Sequence, residues 1–180
     1  AVEQTALLAS ILGLPGLNIK AAKIARNKFL TRVLLQKNGI KQNKFICVND
    51  LEKSRSRIES EIGYPVIVKP LKFAGSCAVT KIKSSDEFIK FTKQVKIDRK
   101  NAPMNVWSED SMDELWLCEE YLDGYEISVE CIVDKEHTEI VAIHDKMIPM
   151  DRPPFLEKFF VTPSPRISIS MENEIKEMTK

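Results

Sequence analysis

Two short stretches of this 180-residue chain decide how its fold is interpreted. The first is Gly63-Tyr64-Pro65-Val66-Ile67-Val68-Lys69-Pro70, and the second is Glu119-Glu120-Tyr121-Leu122-Asp123-Gly124-Tyr125-Glu126. The first predicts a buried strand halted by a proline, with Lys69 at its end. Lys69 is then either a charge that leaves the core or a ligand for an anion such as phosphate. The second stretch has two acidic residues, an Asp-Gly turn and then Glu126 at the start of an alternating strand, which is typical of a hinge between two lobes.

Helices alternate with hairpin-like strand pairs along the rest of the chain, which indicates the α+β class. Helices are predicted over residues 3–12, 18–38, 51–62 and 86–95, with Asp50 and Ser85 as caps of the last two, and another helix begins at Ser170. Strands are predicted over residues 45–48, 66–69, 77–82, 115–118, 126–133 and 138–148, and residues 98–113 are expected to be a surface loop. A hairpin loop at residues 134–137 would place Glu126 opposite Asp145 or Lys146.

Composition and charge exclude several functional classes. The 27 basic and 26 acidic residues leave a net charge of +1, so no long-range attraction to nucleic acid is expected. No apolar run approaches the roughly 18 residues of a membrane span, so no membrane partner is expected either. The four cysteines are far apart and the chain has two histidines, which does not fit a structural zinc site. Dispersed cysteines are typical of reduced thiols and predict a cytoplasmic location.

Candidate anion-binding groups precede and follow the first stretch. The helix predicted over residues 18–38 places Lys28 and Arg32 one turn apart beside apolar side chains. Partly desolvated cations require an anionic partner, unless their stems pack and their charged ends reach water. The loop Leu71–Ser76 contains small residues whose backbone N–H groups could approach phosphate oxygens. It has neither the Walker nor the Rossmann glycine pattern.

The order of these features resembles the ATP-grasp superfamily, chiefly its carboxylate–amine ligase branch. Besides the two stretches, the matching segments are Gly13–Gly16, Asn27-Lys28 with Arg32, Gly39-Ile40, Gly75-Ser76 with Val79, His144–Lys146, Pro153–Glu157 and Pro163-Ser164. The resemblance implies the ATP-grasp fold, with two α+β lobes and the nucleotide cleft between them. It divides the chain into a helical lead-in (1–43), a small lid lobe (44–118) and the start of a larger lobe (119–180).

The resemblance also implies which residues bind the phosphates of ATP. Lys28 and Lys69 would hold them, and Lys146 matches a lysine that often contacts phosphate. The loop that contains Gly75 and Ser76 would fold over the phosphates as a lid. A glycine is usual where this chain has Ala78, which departs from the family's pattern.

The adenosine part of ATP is assigned to the second stretch in the same way. Glu119 would accept a hydrogen bond from the adenine amino group, and the backbone near Tyr121 and Leu122 would meet the edge of the ring. Glu126 would bind the ribose hydroxyls. ATP and Mg²⁺ are the implied cofactors.

The metal ligands and catalytic residues of the family are expected beyond Lys180. Residues 172–174 are two acids and an asparagine at a helix start, on successive faces, so they do not form a metal site and no metal ligand is predicted in the chain. The chain is therefore expected to be a fragment without the N-terminal domain and the metal-binding part. Alone it is expected to be inactive and to bind nucleotide weakly or not at all.

The implied parent is an ATP-dependent ligase that activates a small-molecule carboxylate as an acyl phosphate for attack by an amine. Two alternatives remain open at this point. One is a non-catalytic nucleotide-binding or regulatory module, and the other is an enzyme like biotin carboxylase or carbamoyl-phosphate synthase. An unpaired sheet edge at the end of the chain could pair with a second copy and give a homo-oligomer.

Overall fold

A computed structural model describes residues 2–71, 76, 78–101, 115–134, 137–147 and 159–179, with the backbone alone at 99–101. The chain divides into two compact units, Ala1–Tyr121 and Leu122–Lys180. Helices and antiparallel strands occur in both units, which confirms the predicted α+β class. The proposed functional boundaries at residues 43 and 118 stay predictions. No helix of the described residues is long and apolar enough to cross a membrane.

The first unit is built on a four-stranded antiparallel sheet in the order β1-β4-β2-β3. Its strands are β1 (Phe45–Val48), β2 (Val66–Pro70), β3 (Thr80–Ile82) and β4 (Trp116–Glu120). Its helices are α1 (Val2–Ile11), α2 (Ile19–Arg26), α3 (Lys28–Lys37), α4 (Arg55–Glu61) and α5 (Ser85–Asn101). The central strand β2 contains the end of the first stretch that the sequence singled out, and β4 ends with Glu119 and Glu120, the start of the second.

The two faces of this sheet serve different purposes, because successive residues of a strand point to opposite sides. One face forms the hydrophobic core with residues from α4 and α5. Its buried members are Ile46, Val48, Leu51, Ile58, Val66, Val68, Ile82, Phe88, Trp116 and Cys118. The other face carries Lys69 and Glu119, and on this side α3 packs Phe29 edge-on against Phe45 of β1.

The single helix predicted over residues 18–38 is wrong, because the chain breaks at Asn27. Asn27 has extended backbone angles and ends α2 while it caps α3. Its side-chain oxygen accepts hydrogen bonds from the backbone N–H groups of Phe29 and Leu30, at 3.1 Å each. These bonds satisfy donors that a new helix leaves open. The one-turn spacing of Lys28 and Arg32 survives, since both lie in α3.

Other element ends differ from the predictions for local reasons. The helix α5 is capped by Ser84 rather than by the predicted Ser85. The Ser84 hydroxyl accepts a hydrogen bond from the N–H of Glu87 at 3.3 Å. That helix continues to Asn101, so the loop predicted from residue 98 is wrong at its start, and its remainder from residue 102 lies outside the described residues. Asp50 accepts from the N–H of Lys53 at 3.0 Å in a turn, and α4 begins only at Arg55.

The second unit contains the hairpin of β5 (Ile127–Asp134) and β6 (His137–Asp145), followed by α6 (Ile169–Thr179). The ladder contains a bulge: Glu130 pairs with Ala142 and Cys131 with Ile140, which leaves Val141 without an opposite residue. The segment after β6 returns to the sheet, where Asp145 and Val161 form an antiparallel bridge. Because of the bulge, each residue of β6 after Val141 lies opposite a residue of β5 that is one position later in the chain than in a regular ladder.

Candidate nucleotide-binding site

Lys69 and Glu119 come together because they are diagonal neighbours on adjacent strands. Ile67 lies opposite Glu119, and Lys69 lies opposite Leu117, so the two charged side chains share one face of the sheet. The Lys69 ammonium forms an ion pair with Oε2 of Glu119. The side chain of Glu119 is 3% exposed and that of Lys69 is 17% exposed. A buried carboxylate of this kind requires compensation by nearby cations.

Arg32 of α3 supplies the second cation. Its Nε donates to Oε1 of Glu119 at 2.5 Å, and its Nη1 donates to the side-chain oxygen of Gln42 at 3.1 Å. Burial raises the pKa of the Glu119 carboxyl, but the ion pairs with Lys69 and Arg32 outweigh burial and hold that pKa below its usual value. The sequence predicted that Lys28 and Arg32 lie one turn apart and require an anionic partner, which it did not identify. For Arg32 that partner is Glu119.

Lys28 lies at the first position of α3 and is tied to the end of β2. Its ammonium donates to the carbonyl of Leu71 at 3.1 Å, and its backbone N–H donates to the same carbonyl at 3.4 Å. Burial lowers the pKa of Lys28, and repulsion from Lys69 and Arg26 lowers it further, against a smaller opposing effect of Glu119. Lys28, Arg32 and Lys69 thus come together near the carboxylate of Glu119, and cations gathered in this way attract an anion.

Tyr121 follows β4 directly and is the last residue of the first unit. Its N–H donates to the carbonyl of Pro65 at 3.2 Å, and its ring lies 3.3 Å from the ammonium of Lys81. Leu122 begins the second unit, and 66% of its surface is exposed. The backbone of Tyr121 is thus fixed by the sheet.

The predicted phosphate lid is described in part. Gly75 lies outside the described residues, while Ser76 and Ala78 both have a φ of +56°. This left-handed conformation costs a residue with a Cβ about 1 kcal/mol, and glycine adopts it freely. The positive φ at Ala78 thus explains why a glycine is expected at this position.

In the second unit, Glu126 and Lys146 are brought together as an ion pair. The Lys146 ammonium lies 2.6 Å from Oε1 of Glu126, and the Lys146 N–H donates to the Glu126 carbonyl at 3.1 Å. The side chains are 11% exposed for Lys146 and 48% for Glu126. Of the two partners left open for Glu126, the structure selects Lys146.

Sequence reasoning missed a second buried ion pair, between Asp145 and Arg166. Asp145 is fully buried and accepts from Nε of Arg166 at 2.8 Å, from its Nη2, and from the Ser164 hydroxyl at 2.7 Å. The Arg166 guanidinium also lies 4.0 Å from the ring centre of Tyr125. The hydrogen bonds from Arg166 and Ser164 hold the pKa of Asp145 below its usual value. Arg166 follows a proline-rich segment without periodicity, so no sequence pattern pointed to it.

Within the described ranges, no group of three or more histidine, cysteine, aspartate or glutamate residues could hold a metal ion. The carboxylates of Glu119 and Glu126 each form ion pairs with lysine or arginine within their own unit.

Comparison with known proteins bears directly on the fold. The profile of the ATP-grasp domain matches residues 62–180, which is more than half of the chain. The chain belongs to the ATP-grasp family. The predicted family and fold are therefore confirmed.

The relatives of this ATP-grasp chain include amino-acid ligases. Alanine–anticapsin ligase of Bacillus subtilis strain 168 is 36% identical over 165 residues, which cover 85% of this chain and 34% of that protein. The crystal structure of an L-amino acid ligase from Bacillus licheniformis superposes with a TM-score of 0.80 at 23% identity, over 98% of this chain and 40% of that one.

A carboxylase shares the fold as well. The biotin carboxylase domain of a Hydrogenobacter thermophilus 2-oxoglutarate carboxylase, solved with MgADP and bicarbonate, gives a TM-score of 0.75 at 17% identity. The match covers 98% of this chain and 38% of that one. This ATP-grasp chain thus spans about a third of the curated ligase and under half of each solved chain.

Proposed function

We propose that this chain is the ATP-binding part of an ATP-dependent ligase that joins a carboxylate to an amine. The substrates would be small molecules, with an amino acid as the carboxylate, since the relative with 36% identity is an alanine ligase. The observation that carries the proposal is the cluster of Lys28, Arg32 and Lys69 around one carboxylate. A triphosphate is the anion that an ATP-grasp domain is expected to bring to such a cluster.

The phosphates are the first part of ATP to which residues can be assigned. Lys28 is partly buried and the Lys69 side chain is 17% exposed, so a phosphate would replace lost hydration and relieve their mutual repulsion. Lys146 is a third candidate, with an 11% exposed side chain. Ser76 and Gly75 belong to the loop that we assign to the phosphates as a lid.

The adenosine part is assigned to residues after β4. The partly exposed carboxylate of Glu126 has one oxygen in the ion pair with Lys146 and would accept from the ribose hydroxyls with the other. The backbone at Tyr121 and Leu122 is proposed to meet the edge of adenine. Both oxygens of Glu119 already have cationic partners, so an adenine amino group would use its remaining lone pairs.

The proposed reaction has two steps. A carboxylate oxygen of the first substrate attacks the γ-phosphorus of ATP, the bond to the bridging oxygen breaks, and ADP leaves. The amine then attacks the acyl carbon, phosphate leaves with that carboxylate oxygen, and the nitrogen loses a proton. The residues described here would position the triphosphate and neutralise its charge, which is the main requirement of phosphoryl transfer.

An isotope experiment tests the ligase reaction. The complete gene product that contains these residues is incubated with ATP and pairs of amino acids, and the carboxylate of each member of a pair is labelled with ¹⁸O in turn. The expected result is ADP formation that requires both amino acids, with one ¹⁸O in each phosphate released when the activated member carries the label. ATP hydrolysis that ignores the second amino acid, or phosphate without label in both labelling experiments, contradicts the proposal.

Two variants serve as controls for this experiment. Lys69→Ala should abolish the labelled phosphate, because it removes a proposed phosphate ligand. Lys93→Ala changes an exposed lysine of α5 and should leave the reaction unchanged. Equal effects of the two substitutions would argue against a specific role for Lys69.

A further inference from the structure

The two oxygens of the Glu119 carboxylate face cations from two different elements. Arg32 of α3 donates from Nε to Oε1 at 2.5 Å, and Lys69 of β2 contacts Oε2. The side chain of Glu119 is 3% exposed, so water contributes little to its stabilisation. Its charge therefore depends on both cations.

Arg32 and Lys69 differ in how firmly they are held. Arg32 makes a second hydrogen bond, from Nη1 to the Gln42 side chain at 3.1 Å, and its planar group is fixed by the two contacts. Lys69 lies at the end of β2, and its ammonium is a compact charge on a flexible stem. The lysine is thus the partner that can turn toward a new anion.

A phosphate that attracts Lys69 would approach the carboxylate of Glu119. Without Arg32, this movement would leave a buried negative charge uncompensated next to an incoming negative charge. With Arg32 in place, Oε1 keeps its partner throughout. The requirement for Arg32 should therefore grow with the charge of the ligand.

We propose that Arg32 is a positioning residue of the phosphate site, which keeps Glu119 charged and compensated while Lys69 shifts from Oε2 to a phosphate of ATP. This inference rests on the proposed function, because it assumes that a triphosphate binds at Lys69. It assigns to Arg32 an effect on phosphates, exerted through Glu119, and no contact with the nucleotide.

Calorimetric titrations of the complete gene product that contains these residues, with AMP and with a non-hydrolysable ATP analogue, each with Mg²⁺, test the inference. Arg32→Gln is expected to weaken binding of the ATP analogue by about tenfold or more, and binding of AMP by less than about threefold. Arg32→Lys keeps the charge without the fixed planar group and should recover part of the loss. The matched control is Arg57→Gln, which removes an exposed arginine–glutamate pair on α4 and should change neither affinity.

If Arg32→Gln does not fold, the double variant Arg32→Gln, Glu119→Gln tests the positioning role of Arg32 instead. It removes the cation together with the buried charge, so we expect a ratio of analogue to AMP affinity within about threefold of the unsubstituted chain. A ratio of analogue to AMP affinity as low as that of the Lys69→Ala variant overturns the inference.

The remaining outcomes separate this inference from the proposed function. Equal losses for AMP and the analogue in Arg32→Gln, or no loss at all, overturn the positioning role while nucleotide binding stands. Absence of analogue binding by the unsubstituted gene product overturns the proposed function and the inference with it.

Discussion

Lys146 lies opposite Glu126 because β6 contains one residue more than β5 over the same stretch. The pairs Glu130–Ala142 and Cys131–Ile140 leave Val141 as the extra residue. A regular ladder from the hairpin loop would have placed Asp145 opposite Glu126, so that two carboxylates would repel each other. The bulge replaces this repulsion by an ion pair at 2.6 Å.

The first prediction concerns Glu126 and the ribose. Glu126→Ala should lower the affinity for an ATP analogue by about tenfold, because a charged acceptor for the ribose hydroxyls is lost. Stability should change by less than about 1 kcal/mol, since Glu126 is 48% exposed and its ion pair is partly screened. Calorimetry measures the affinity, and thermal melting followed by circular dichroism measures the stability.

A ligand without the 2′-hydroxyl tests the assignment to ribose. The unsubstituted chain should prefer the ribose form of the analogue to the 2′-deoxy form, and Glu126→Ala should lose that preference. Glu139→Ala, at an exposed position of β6, is the control and should keep it. A preference that survives in Glu126→Ala shows that another group reads the ribose.

The second prediction is a pH dependence that comes from Lys28. In the free protein its pKa lies below the ordinary value of 10.5 because of burial and the nearby cations. A bound triphosphate favours the charged form and raises this pKa, so binding should take up protons as the pH approaches 10.5, and affinity should fall over that range. Titrations in two buffers of different ionisation enthalpy measure the uptake.

Lys28→Arg provides the matched control, because a guanidinium stays protonated throughout this range. The variant should bind the analogue with little proton uptake and a flatter pH profile. Identical proton uptake in the variant and the unsubstituted chain would assign the titration to another group.

The third prediction concerns the backbone of the lid segment. Ala78 has a φ of +56°, so Ala78→Gly should raise the free energy of unfolding by about 0.5–1 kcal/mol. Ser56→Gly, at an exposed position of helix α4, should lower it by about the same amount. Urea denaturation measures both, and a destabilised Ala78→Gly contradicts the assigned conformation.

The fourth prediction concerns the buried pair of the second unit. Arg166→Met should lower the melting temperature, because it leaves the buried carboxylate of Asp145 without its cation. The double variant Arg166→Met, Asp145→Asn should recover part of the loss. Recovery fails if the arginine stabilises the unit chiefly through its contact with the Tyr125 ring.

The sign of the pH effect follows from the pKa of Asp145, which lies below the ordinary value of 3.8. A carboxyl with a lowered pKa contributes stability that is present above pH 3.8 and is lost as the pH falls through the lowered value. Arg166→Met should therefore show a smaller loss of stability in acid than the unsubstituted chain.

The sequence predicted those parts of the fold that depend on local patterns. The strand of residues 45–48 agrees with the structure at both ends, and that of residues 66–69 differs by one residue. The register of β2 and β4, which places Lys69 and Glu119 on one face, is not contained in the pattern of either strand. The break at Asn27 was missed because its caps depend on one side-chain oxygen, which periodicity does not detect.

Contacts that join distant segments could not be predicted in this way. Arg32 and Glu119 are 87 positions apart, and the bulge at Val141 selects Lys146 over Asp145 through an irregularity without a sequence signal. Arg166 reaches Asp145 because the chain returns to the sheet at Val161. Such pairings depend on tertiary geometry rather than on local preference.

Titration of the complete gene product that contains these residues with a non-hydrolysable ATP analogue and Mg²⁺, beside its Lys69→Ala variant, tests the central claim most directly. We predict saturable binding to one site in the unsubstituted protein and a loss of at least about tenfold in affinity for Lys69→Ala, with both proteins folded. Binding of equal strength in the two proteins would contradict the assignment of Lys69 to the phosphates. Absence of binding in both would contradict the claim that these residues bind ATP.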